Sequence, residues 1–134
     1  MGTVGLSMGP CSLPGQAPSF QLGAQEMELG LGIHGEAGVK RLKVAPASES
    51  VDLVLNHLTD PKSVTSLAIP AHTPVVILLN NLGGTSNLEI GVLIKELTEA
   101  AKQRKWKLNR FVVKKDGMRM LLKLSFVEGF WLGP

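Results

Sequence analysis

Apolar and polar positions along this chain fall into short alternating runs and two longer helical patterns, an order that predicts an α/β protein. Residues 2–9 read as a short strand of small residues, and Pro10, Pro14, Gly15 and Pro18 then impose a loop. Ser19–Leu22 and Glu26–Ile33 are two strand candidates joined by a short polar turn, which predicts a hairpin. In the second of them Met27, Leu29, Leu31 and Ile33 alternate and run into the glycine-rich turn Gly30-Leu31-Gly32-Ile33-His34-Gly35-Glu36-Ala37-Gly38. Val39–Val44 alternates weakly and reads as strand or extended loop.

Val51, Val54, Leu55 and Leu58 recur at i, i+3, i+4, i+7 and predict a helix over about 49–58, capped by Ser48 or Ser50 and stopped by Asp60-Pro61. Residues 61–74 read as a loop. The continuous run Val75–Leu79 predicts a strand buried on both faces. It enters the turn Asn80-Asn81-Leu82-Gly83-Gly84-Thr85, after which Ser86 and Glu89 form a capping box. The helix this box opens runs to about Lys105, with Ile90, Leu93, Ile94, Leu97 and Ala101 as its apolar stripe, and Trp106–Val113 is a further strand. Strand, glycine turn, helix and strand make an α/β unit with a right-handed crossover expected. Lys114-Lys115-Asp116-Gly117 reads as a turn, Met118–Val127 alternates imperfectly, and Phe130-Trp131-Leu132 leaves the end apolar.

Composition narrows the class. A chain of 134 residues with 44% hydrophobic and 19% charged positions suits one globular domain with a modest core. Aromatics make up 4% and tyrosine is missing, which argues against stacking platforms for single-stranded nucleic acid. The net charge of +3 gathers late, in Lys102, Arg104, Lys105, Lys107 and Arg110 and then Lys114, Lys115, Arg119 and Lys123, and reads as a solvated helix end and loop. The single cysteine, Cys11, excludes an internal disulfide, suits a reducing compartment and reads as a small buried residue. No charged segment precedes an apolar core at the start, and Val75–Leu79, the longest apolar run, is too short to span a bilayer. The expectation is a soluble, cytosolic chain with no nucleic-acid or membrane partner.

The candidate chemistry is sparse. Gly30-Leu31-Gly32-Ile33-His34-Gly35 matches G-x-G-x-x-G, and Asp52 stands near the distance of a ribose-binding acid, but Gly38 interrupts any helix after it, so a dinucleotide fingerprint is rejected. His34, uncrowded between glycines, is the best chemical candidate, since a neutral imidazole serves as base, ligand or nucleophile. The bland alternative is a structural histidine. His57 and His72 read as surface residues, and no spacing among the histidines, Cys11 and the acids makes a metal set. The Asn80–Ser86 junction offers free N–H groups but lacks the Lys-Ser/Thr ending of a P-loop, and a tight turn with an N-cap explains it equally.

Three segments together carry more. Gly2-Thr3-Val4-Gly5 with Cys11-Ser12-Leu13-Pro14-Gly15, then Glu28-Leu29-Gly30-Leu31-Gly32-Ile33-His34-Gly35-Glu36-Ala37-Gly38, then Asn80-Asn81-Leu82-Gly83-Gly84 closely resemble the dihydroxyacetone kinase family. The resemblance covers about residues 1–113 and implies the later part of a DhaK-type substrate-binding domain, a mixed sheet with two or so flanking helices. Residues 114–134 read as a divergent tail. In that family the histidine of the GIHGE segment holds the substrate carbonyl as a covalent hemiaminal, which puts His34 in the catalytic role and Gly32 and Gly35 beside it in the substrate site. The resemblance also implies ATP and Mg²⁺ as cofactors, but the half of the domain with the catalytic aspartate and the helical ATP-binding domain have no counterpart here, so the sites for both are expected to be absent from this chain.

Two functions follow. The first is phosphorylation of dihydroxyacetone or a related triose, with this chain supplying the covalent anchor and inactive alone. The second is a non-catalytic fragment that forms a homodimer or pairs with full-length kinase subunits through exposed strand edges. A sheet stripped of neighbours on both sides of Val75–Leu79 is expected in either case. A nucleotide-binding module, the third possibility, requires a helix over 36–46.

Overall fold

The computed structural model describes residues 1–9, 21–30, 38–63, 66–81, 85–115 and 122–128. The run Pro74–Asn81 forms strand β4, the helical pattern after it forms α2 over Asn87–Gln103, and β5 over Lys107–Lys115 returns parallel to β4. This is the crossover unit that the spacing predicts. Before it come β1 (Gly2–Ser7), β2 (Glu26–Leu29), β3 (Lys40–Lys43) and helix α1 (Ala47–Thr59), and after it β6 (Leu122–Glu128). The six strands form one mixed sheet in the order β3-β2-β1-β6-β4-β5. The fold is α/β with two helices, as expected.

Both helices contribute to one core against one face of the sheet. Val51, Val54, Leu55 and Leu58 of α1 and Ile90, Leu97, Ala100 and Ala101 of α2 join Val4, Leu29, Val75, Ile77 and Leu79 in a single buried cluster. Arg104, at the C-terminal end of α2, ties that end to the middle of α1: it donates to Asp52 at 3.0 Å and Asn56 at 2.9 Å and lies 5.8 Å from the centre of the Trp106 ring. Part of the late basic run is therefore structural.

Several expectations are corrected. Strand β4 is buried on one face, not two: Val75, Ile77 and Leu79 are buried, while Val76 and Leu78 between them are half-exposed. Strand β2 ends at Leu29, after which Gly30 turns at φ +80°, and the rest of the expected strand, 31–33, lies outside the described residues. An alanine in place of Gly30 would be strained by that angle and would bring a Cβ to 2.8 Å from Val39 Cγ2. Its neighbours are β1 and β3, so the hairpin is β2–β3 and not a pairing with Ser19–Leu22. Of that segment Gln21 and Leu22 are irregular, and Ser19 and Phe20 lie outside the described residues. Helix α1 starts at Ala47 after Pro46 without a side-chain cap, and Ser50 instead donates to the Ala45 carbonyl at 3.2 Å. The sheet is also not stripped around β4. Residues 122–128 insert as β6 between β1 and β4, antiparallel to both.

The Ser86 capping box forms as the sequence predicts. Ser86 Oγ accepts from the Glu89 N–H at 3.3 Å, and Glu89 Oε2 accepts from the Ser86 N–H and hydroxyl, both at 2.7 Å. Those bonds, the backbone one foremost, hold the Glu89 carboxyl below the ordinary glutamate range. Ser86→Ala is expected to cost about 1 kcal/mol in urea denaturation. A depressed carboxylate stabilises above its unfolded pKa and loses that contribution as pH falls through the folded value. The stability difference between the native chain and Glu89→Gln should therefore shrink as pH drops below the ordinary glutamate range.

Candidate functional site

The sheet brings two glycine-rich turns to strands whose registers are fixed. Segment 31–37, which carries His34 with Gly32 and Gly35, lies outside the described residues, as do Cys11 and 82–84. What is described is the stem that holds each turn.

The stem of the first is the β2–β3 hairpin. Where the chain leaves, the Gly30 N–H donates to the Gly5 carbonyl at 2.7 Å. Where it returns, the Val39 N–H donates to the Leu29 carbonyl at 2.7 Å, and the Gly38 N–H donates to Glu28 Oε1 at 2.6 Å. Gly38 has no room for a side chain. A Cβ there would lie 2.5 Å from the Leu29 oxygen and 2.6 Å from Glu28 Cγ. Glu28 is only 4% exposed, although a strand read by alternation points it away from the apolar face of Met27 and Leu29.

Register explains where it points. Leu6 pairs with Leu29, and both belong to the helix-covered side, so Ser7 and Glu28, paired with each other, share the opposite face. Gly5 pairs with Lys123 and Lys123 with Asn80, which puts Asn80 on that same face. Glu28 Oε2 and Asn80 Oδ1 are both buried and have no donor among the described residues. This is the face opposite the helices, and Val76 and Leu78 stand on it as well. The other carries a small void walled by Leu6, Val51, Val54, Leu79, Leu93 and Leu97, which belongs to the core.

The stem of the second turn is Asn81, 1% exposed. Its Nδ2 donates to the Thr85 carbonyl at 2.6 Å and its Oδ1 accepts from the Thr85 N–H at 3.3 Å, so one side chain straps residues 82–84 from strand to helix cap. Of the other histidines, His57 is half-buried in the last turn of α1 and His72 is exposed in a turn at φ 67°. Strand β3 over Lys40–Lys43 occupies the ground where a dinucleotide fingerprint needs its helix. No three His, Cys, Asp or Glu side chains converge among the described residues. No described helix is long and apolar enough to cross a membrane. Sequence reasoning missed Glu28. The available signal was a carboxylate next to a turn with so many glycines that its strand's second face had to be approached closely.

The described structure is a mixed α/β sheet with two helices on one face, and comparison places it in a family. The model of the Dak1 domain matches residues 1–116. Triokinase/FMN cyclase of Rattus norvegicus is 45% identical over 113 residues, covering 84% of this chain and 20% of that protein. Dihydroxyacetone kinase 1 of Saccharomyces cerevisiae is 37% identical over 105 residues, covering 75% of this chain and 18% of that protein. The solved dihydroxyacetone kinase of C. freundii in complex with AMP-PNP and Mg²⁺ superposes with a TM-score of 0.73 at 20% identity, covering 97% of this chain and 24% of that one. The chain belongs to the Dak1 domain family, and it spans about a fifth of the length of these curated relatives.

Proposed function

We propose that this chain supplies the substrate anchor of a dihydroxyacetone kinase, with His34 as the anchoring nucleophile and Gly32 and Gly35 lining the substrate beside it. The observation that carries the reading is the family match over residues 1–116, which spans the His34 segment and both turn stems. In the anchoring step a neutral imidazole nitrogen adds to the ketone carbon of dihydroxyacetone. The C–N bond forms as the carbonyl π bond breaks, and the proton lost from the other ring nitrogen ends on the new hydroxyl. Nothing leaves, so the hemiaminal is reversible and serves to orient a small ligand. A terminal hydroxyl of the anchored triose is then held for phosphorylation.

Phosphoryl transfer needs Mg²⁺ and positioned ATP. Transfer by this chain alone is not part of the proposal. The transfer function belongs to a longer assembly in the cytosol. A second reading, a fragment that pairs with another kinase subunit, is favoured by β5, an outer strand with Val112 41% and Val113 48% exposed.

Two-dimensional amide and imidazole NMR of the labelled chain tests the anchor. Dihydroxyacetone should shift the His34 ring nitrogens and leave those of His57 and His72 in place. His34→Ala should abolish the response, and the native chain should show no triose-dependent ATP hydrolysis. Unchanged His34 resonances in a folded chain at saturating ligand would overturn the reading.

A further inference from the structure

We infer that Glu28 is a positioning residue of the ligand segment, fixing through Gly38 the end at which that segment re-enters the sheet. The inference rests on the proposed anchor role of His34. A surface glutamate on a strand has no such task, but this one is 4% exposed and sits on the face of the sheet opposite the helices. Its Oε1 accepts the Gly38 N–H across ten residues at 2.6 Å, a short charge-assisted bond. The flanking backbone bonds, Gly30 to Gly5 and Val39 to Leu29, hold the chain at both sides of the segment but leave the Gly38 N–H to the carboxylate. Gly38 is boxed in so tightly by Leu29 and Glu28 Cγ that the carboxylate and the returning chain move together.

The second oxygen, Oε2, is buried without a donor among the described residues, which makes the isosteric amide informative. Glutamine keeps an acceptor for Gly38 and turns only the spare position into a donor. If the staple is what matters, Glu28→Gln retains dihydroxyacetone affinity within about threefold, whereas Glu28→Ala loses about tenfold or more, since a misplacement near 1 Å is costly in such sites. Affinity is read from the ligand-induced amide shifts. The staple itself is read without ligand, from protection of the Gly38 amide against hydrogen exchange: present in the native chain and in Glu28→Gln, lost in Glu28→Ala.

Gly38→Ala breaks the same staple from the other side, because its Cβ would meet the Leu29 oxygen and Glu28 Cγ and force the returning chain and the carboxylate apart. It should weaken binding like Glu28→Ala. Full affinity in Glu28→Ala overturns the inference, and so does loss of affinity in Glu28→Gln with the Gly38 amide still protected. A native chain that protects Gly38 but ignores dihydroxyacetone refutes the anchor reading instead, so the two failures are told apart.

Discussion

Ending the chain after Lys115 is expected to abolish cooperative unfolding. Strand β6 is a middle strand of the sheet, although it comes last in sequence. It pairs with β1 from Gly2–Phe126 to Leu6–Leu122 and with β4 from Val75–Glu128 to Asn81–Leu122. Without it the ladder separates into β3-β2-β1 on one side and β4-β5 on the other, and the interior edges of β1 and β4 are left unpaired. Each exposed edge is a template for association with other chains. The loss is larger than any single side chain accounts for, because backbone donors and acceptors on both flanking strands lose partners together. Urea denaturation followed by circular dichroism should show a broad, shallow transition for the chain ending at Lys115 and a single sigmoid for the full one. If the shorter chain keeps a sharp transition at the same midpoint, β6 contributes nothing and β1 meets β4 directly.

That expectation also marks where the sequence was legible. The order of β4, α2 and β5 could be read, because a capping box, an apolar stripe at helical spacing and a β-branched run are all local signals, although Lys114 and Lys115 belong to β5 and not to a turn. The helix over Ala47–Thr59 was visible for the same reason, and only its cap was misplaced, since Pro46 and not a serine precedes it. What could not be read was pairing. Val39–Val44 alternates too weakly to announce a hairpin with Met27 and Leu29, and the β2–β3 register is set by the close fit at Gly30 and Gly38, which appears only in three dimensions. The run Val75–Leu79 looked buried on both sides because its intermediate positions, Val76 and Leu78, are apolar as well. The pairing of Leu122–Glu128 could not be read because its neighbours lie more than a hundred residues away in β1 and about fifty away in β4. Within the candidate site, His34 stood out by composition. Glu28 did not, because a glutamate in an alternating strand ordinarily faces water, and its burial depends on what the rest of the fold lays against that face.

The core itself makes the last expectation quantitative. Leu97 is fully buried on α2, where it belongs to the cluster shared with α1 and the sheet and lines the small void beside Val54 and Leu79. Leu97→Ala is expected to cost about 4 kcal/mol, towards the upper end of the range for such truncations. The existing void favours the lower end only if the neighbours can settle inward, and Ile77 and Leu79, both at 0% exposure on a sheet strand, cannot follow readily. In a domain of this size that is a large share of the total stability of about 5–15 kcal/mol. Leu88, on the same helix but 80% exposed, is the matched control, and Leu88→Ala should change stability by less than about 0.5 kcal/mol. Urea midpoints for the two variants, measured with unchanged denaturant slopes, decide the matter. A Leu97→Ala cost no greater than that of Leu88→Ala would mean that α2 does not pack its Ile90–Leu97–Ala101 stripe onto the sheet. The sheet that carries Glu28 and Asn81 would then lose the rigid support on which both stems depend.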